Sequence, residues 1–174
     1  MDINKTILII DDDKINIASL THFLSPFYEI LMATDGIMGI EEAEKHLPDM
    51  ILLDVIIPGM DGFEVITKLK SSEATKNIPV IFMSGLSSTD DEGKALVLGA
   101  VDFITKPFNE LIVKTRIKTQ LRNAEYIRII ESLCKLLQIK QDAADSSIED
   151  EEMEDISSLN DLVADVRKML SSLK

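Results

Sequence analysis

Short apolar runs rich in Ile, Leu and Val recur at 6–10, 50–53 and 79–83, with weaker ones at 28–33 and 101–105. They are too short for helices and do not alternate with polar positions, which is how strands covered on both faces read. Between them lie stretches with helical spacing of apolar residues, at 14–24, 36–46, 62–70 and 89–98, and a fifth begins at Asn109. Strand and helix thus alternate five times. This pattern predicts an α/β fold: a parallel sheet with right-handed crossovers and helices on both faces. In such sheets ligands collect beyond the carboxyl ends of the strands, where the strand order reverses.

The fifth helical stretch continues from Asn109 to about 140 without Pro or Gly. Roughly 32 residues at about 1.5 Å each make a rod near 48 Å, too long for a compact domain of this size. Its distal part carries two apolar seams, Ile127, Ile130, Cys134 and Leu137 on one and Ile129, Leu133 and Leu136 on the other. That apolar arc is too wide to face water. A further amphipathic helix is expected over about 156–173, with Ile156, Leu159, Leu162, Val163, Val166, Met169, Leu170 and Leu173 as its stripe. The expected division is a domain over 1–122 and a helical extension over 123–174. The extension comprises the continued fifth helix, an acidic connector at about 142–155 and the terminal helix. It suggests a helical hairpin that pairs with a second copy in a homodimer.

Composition narrows the class. Apolar residues make up 45% of the chain, enough to bury a core, and no apolar run reaches the roughly 20 residues a membrane span needs. Cys134 is the sole cysteine, so no internal disulfide can form, and a cytoplasmic location is expected. A net charge of −13 argues against a nucleic-acid partner. Much of that charge is local: ten Asp or Glu and no Lys or Arg lie between Asp142 and Asp165. His22 and His46 read as helix-surface residues.

The strand ends carry the chemistry. The first ends in Asp11, Asp12 and Asp13, the third in Asp54 and the fourth in Ser84, while Lys106 and Pro107 follow the fifth. A parallel sheet brings these groups to one edge. Asp13, just before a helix, reads as its N-cap. The other carboxylates would repel one another unless a divalent cation joined them. Mg²⁺, hard and oxygen-seeking, suits such a pocket.

These residues resemble the receiver domain of bacterial response regulators. The matching segments are Ile-Leu-Ile-Ile-Asp-Asp-Asp at 7–13, Asp54 followed by Pro-Gly-Met-Asp-Gly at 58–62, Ser84-Gly85, and Gly99-Ala100 leading to Lys106-Pro107-Phe108. The resemblance covers residues 5 to about 122 and implies a flavodoxin-like, doubly wound sheet of strand order 2-1-3-4-5. It implies that Asp54 accepts a phosphoryl group from a phosphohistidine of a sensor histidine kinase or phosphotransfer protein. It further implies that Asp12, Asp54 and the Ile56 backbone carbonyl hold Mg²⁺, with Asp11 acting through a metal-bound water. Lys106, beyond an expected cis bond to Pro107, and Ser84 would contact the phosphoryl oxygens. Phe103 stands at the family's aromatic switch position, so Ser84 and Phe103 together would relay phosphorylation to the face of the fourth helix, fifth strand and fifth helix. That face is a second route to a homodimer. Such a chain is a signalling switch that catalyses only its own phosphorylation and dephosphorylation. A phosphorylation-independent pseudo-receiver, or the regulatory part of a longer enzyme, are the alternatives.

Overall fold

The structure, a computed structural model, describes residues 5–85 and 89–146 of the chain. The terminal helix expected at 156–173, and most of the acidic connector, lie outside the described residues. Five strands form one parallel sheet: β1 (Thr6–Ile10), β2 (Glu29–Ala33), β3 (Met50–Asp54), β4 (Val80–Ser84) and β5 (Asp102–Thr105), in the order β2-β1-β3-β4-β5. Helices α1 (Lys14–Leu24), α2 (Gly36–His46), α3 (Gly62–Ser71), α4 (Thr89–Val97) and α5 (Glu110–Ser146) connect or follow them. This is the doubly wound architecture that the alternation predicts.

Successive side chains of a strand point to opposite faces, and here both faces are covered. Leu8, Ile10, Ile51, Leu53, Val80 and Phe82 pack into the layer that includes Ala43 of α2, Val65 and Leu69 of α3, and Ala95 of α4. Their neighbours Ile7, Ile9, Met50, Leu52, Ile81 and Met83 pack with Ile17 and Leu20 of α1 and Val113 and Ile117 of α5. Residues 7–10 and 50–54 are buried throughout, which is why their sequence shows no polar alternation. The edge strands differ. β2 and β5 bury one residue each, Ala33 and Ile104, and Met32 is 49% exposed. Their apolar patterns are weaker because one side of each strand has no neighbour.

Local chemistry fixes the helix starts. Asp13 and Asp35 cap α1 and α2 by accepting from Ile15 N and Met38 N. Asp61 and Glu64 form a reciprocal capping box at α3. The same turn explains Gly62. A Cβ there would lie 2.3 Å from the Asp54 carbonyl oxygen and 2.9 Å from Val55 Cα, both backbone atoms. The absence of a side chain lets α3 start directly against the end of β3, and Gly62 N donates to Val55 O at 3.0 Å. Gly62→Ala is therefore expected to lower unfolding stability by about 2–3 kcal/mol, measurable by urea titration.

The chain divides into two units, Met1–Leu121 and Arg122–Lys174. The helix α5 extends past the expected end near 140 to Ser146, taking in the first residues of the acidic stretch. Ala143 and Ala144 are strong helix formers there, and no Gly or Pro interrupts.

Candidate functional site

Reversal of strand order at β2-β1-β3 leaves a crevice at the carboxyl ends of β1 and β3. Asp11 follows β1 directly and Asp54 closes β3. Carboxylate oxygens of Asp11, Asp12 and Asp54 all lie within 4.8 Å of one another. Asp11 and Asp54 are buried, at 0% and 5% exposure, and Asp12 is open to solvent. Ser84, at the end of β4, is buried beside them in the sheet, and Ser84 pairs in register with Thr105 of β5.

Lys106 reaches back into this edge. Its ammonium lies 2.6 Å from Asp54 Oδ2 and 2.9 Å from Asp11 Oδ2. The Lys106–Pro107 peptide is cis, and Lys106 N donates to Ser84 O at 2.8 Å, which ties the lysine to the end of β4. Asp54 Oδ1 accepts a weaker bond of 3.3 Å from Ile56 N. Asp11 Oδ1 accepts from Asp13 N at 2.9 Å and from Asn16 Nδ2 at 3.1 Å. Asp11, Asp12, Asp54 and Lys106 thus come together at one strand edge.

The response regulator receiver domain matches residues 7–118 of this sequence. The chain belongs to that family. Over 118 residues it is 41% identical to a probable cyclic di-GMP phosphodiesterase of Vibrio cholerae, covering 68% of this chain and 27% of that protein. Over 117 residues it is 40% identical to the response regulator PleD of Caulobacter vibrioides, covering 67% of this chain and 26% of PleD. The receiver chain therefore spans about a quarter of the length of these relatives. Its fold matches the signal receiver domain of a DNA-binding response regulator protein from Colwellia psychrerythraea with a TM-score of 0.64 and 35% identity, over 68% of this chain and 98% of that one.

The electrostatics of the receiver site follow from burial. Loss of water raises the Asp54 pKa above the ordinary carboxylate value, and this outweighs the pull of Lys106 in the opposite sense. Burial pulls Lys106 down, but its hydrogen bonds to Asp11 and Asp54 and their charges overcome that and leave it raised. With every group ionised, three carboxylates against one ammonium leave a formal −2 in the crevice, which one divalent cation would cancel. The donor set fits Mg²⁺: oxygens from converging carboxylates, one of them open to solvent where waters can complete the shell.

One neighbour of the site escapes a reading of the strand ends. Asn16 holds Asp11 from the first turn of α1, a position whose spacing of five from Asp11 is the available signal. Phe108 places its ring centroid 5.9 Å from the Lys106 ammonium. Phe103 is half-buried, packs on the layer containing Phe82, and lines a cavity of about 280 Å³ with Ala95, Leu96, Ile112 and Arg116. Among the described residues, no helix is long and apolar enough to cross a membrane. His22 and His46 are both exposed on their helices.

Proposed function

We propose that this receiver is a phosphorylation switch in which Asp54 accepts a phosphoryl group. The observation that carries the reading is the Lys106 ammonium bridging Asp54 and Asp11 at the switch point of the sheet. An Asp54 oxygen attacks the phosphorus of a phosphohistidine on a sensor kinase or phosphotransfer protein. A P–O bond forms as the P–N bond breaks, and the leaving imidazole keeps the electron pair. Such transfer depends on placement and on neutralised oxygens more than on acid–base work. Lys106 supplies one positive charge to the phosphoryl oxygens, and Ser84 supplies a hydroxyl donor at the end of β4. Asp12, Asp54 and the Ile56 carbonyl would hold Mg²⁺, with Asp11 acting through a water. When bound, that ion neutralises the developing charge.

The signal then runs through Ser84 and Phe103. Lys106 N is bonded to Ser84 O, and Phe103 lies three residues before Lys106 on β5. A movement of Ser84 toward the phosphoryl group would alter the cavity lined by Phe103, α4 and α5, and so a protein-binding or dimerisation face. The test is titration with beryllofluoride and Mg²⁺, followed by amide NMR. Shifts at Ser84, Phe103 and Lys106 that need both components are expected. Spectra unchanged by the pair would leave a binding module without phosphorylation.

Proton linkage gives a second expected result. Asp54 must be ionised to attack, and its pKa is raised. Uptake from acetyl phosphate therefore falls as pH drops through that raised value, at a higher pH than an exposed aspartate would give. Added Mg²⁺ competes with the proton and moves this acid limb to lower pH. A limb independent of Mg²⁺ would contradict the assigned ligands.

A further inference from the structure

Asp11 is fully buried, so its carboxylate takes its partners from the protein. An ionised carboxylate offers about four acceptor positions, two on each oxygen. Oδ1 uses both of its own, accepting from Asp13 N at 2.9 Å and from Asn16 Nδ2 at 3.1 Å. Oδ2 uses one, on the Lys106 ammonium at 2.9 Å. Among the described residues a single acceptor position is left, on Oδ2, the oxygen that shares Lys106 with Asp54. The two donors on Oδ1 differ in kind. Asp13 N is backbone, part of the turn in which Asp13 caps α1, and any residue but proline would supply it. The Asn16 donor is a side chain, half-buried in the first turn of α1. It fills the oxygen without changing the charge of the crevice. A lysine there would add a second cation beside Lys106, and a carboxylate would repel Asp11.

We propose that Asn16 is a positioning residue that sets which divalent cation the receiver site prefers, by keeping Asp11 from gripping a cation with both oxygens. The assignment rests on the cation site proposed above for Asp12 and Asp54. Ca²⁺ takes about six to eight oxygens and accepts a carboxylate through both of its oxygens at once. Mg²⁺ demands a tight octahedron, dehydrates reluctantly and keeps several waters. With Oδ1 filled, Asp11 presents one oxygen, or a water held on it, and that suits Mg²⁺. With the Asn16 amide gone, Oδ1 regains one acceptor position while Asp13 N stays in place. The carboxylate then has one open position on each oxygen, the arrangement that closes on a larger ion. Asn16 acts only through Asp11, and its amide makes the choice between the two ions part of the α1 turn.

The test compares the full chain with its Asn16→Ala and Asn16→Ser variants. Both remove the amide. Serine keeps a polar side chain that suits the start of a helix, and its hydroxyl ends one bond short of the Asn16 amide nitrogen. Either variant alone suffices for the comparison. Isotope-labelled protein is titrated with MgCl₂ and, separately, with CaCl₂ at matched ionic strength. Dissociation constants are read from the amide shifts of Asp54 and Ile56, without phosphodonor. The quantity of interest is the Kd for Ca²⁺ divided by the Kd for Mg²⁺. Loss of Asn16 is expected to lower this ratio by about tenfold, the lower end of what removal of an outer partner does to a metal site. Mg²⁺ binding weakens as Asp11 loosens, while Ca²⁺ gains an oxygen. A residue that merely strapped the turn at the start of α1 would, once removed, weaken both ions alike. A ratio unchanged from the parent's, or one that rises, therefore overturns the role of Asn16 and leaves the cation site standing. Parent amides at Asp54 and Ile56 that respond to neither ion overturn the cation site itself, and this assignment with it.

Discussion

Asp54→Asn is expected to abolish phosphoryl uptake from acetyl phosphate at every Mg²⁺ concentration, as read by intact mass. The amide is a poor nucleophile, and the substitution also removes one of the three carboxylates that converge in the crevice. The expected loss is chemical and does not require a failure to fold. Burial raises the Asp54 pKa, so the sign of the linkage is that the folded state holds this proton more firmly than the unfolded chain. The stabilisation this gives at acid pH is lost as pH rises through the raised value. At neutral pH the ionised carboxylate is a burden on the fold, relieved in part by Lys106. The Asn variant is therefore expected to be at least as stable as the parent near pH 7 in urea. Lys106 keeps Asp11 as its partner at 2.9 Å. An Asn variant that still gains a phosphoryl group would move the acceptor to another residue.

Lys106→Ala produces the second large effect. Removing a placed charge from developing oxyanions costs about 10²–10³ in rate in comparable sites, and a loss of that size in phosphorylation is expected here. Stability changes as well. Asp11 is fully buried, and without Lys106 it keeps the Asp13 N and Asn16 Nδ2 donors on its other oxygen. Breaking a buried pair from one side costs about 3 kcal/mol or more. Mg²⁺ can replace the missing charge, so it should stabilise the Lys106→Ala variant more than the parent, by RT ln(1 + [L]/Kd) with a tighter Kd. Thermal melts with and without Mg²⁺ read this directly. Equal stabilisation of the two proteins would mean that lysine and cation do not share the same carboxylates.

The sheet was legible in the sequence because its centre is buried on both faces. The runs in β1, β3 and β4 needed no alternation, and their Ile, Leu and Val content excluded the neighbouring helices. β2 and β5 were fainter because an edge strand buries less, as Met32 shows. The acidic, hydroxyl and lysine groups were legible because a parallel sheet carries every strand end to one side. Asn16 was not. An amide one turn into a helix looks like surface, and only the fold turns it back toward Asp11. The end of α5 misleads for another reason. Aspartates such as Asp142 and Asp145 are unfavourable near a helix C-terminus and suggest a stop, but Ala143 and Ala144 carry the helix on to Ser146.

The most direct measurement is the position of the phosphoryl group. Protein treated with acetyl phosphate and Mg²⁺ would be reduced with borohydride, which converts an aspartyl phosphate to homoserine, and then mapped by peptide mass spectrometry. The account predicts one modified residue per chain, at Asp54, and none when Mg²⁺ is chelated. Modification at Asp11 or Asp12, or uptake that does not require the cation, would contradict it.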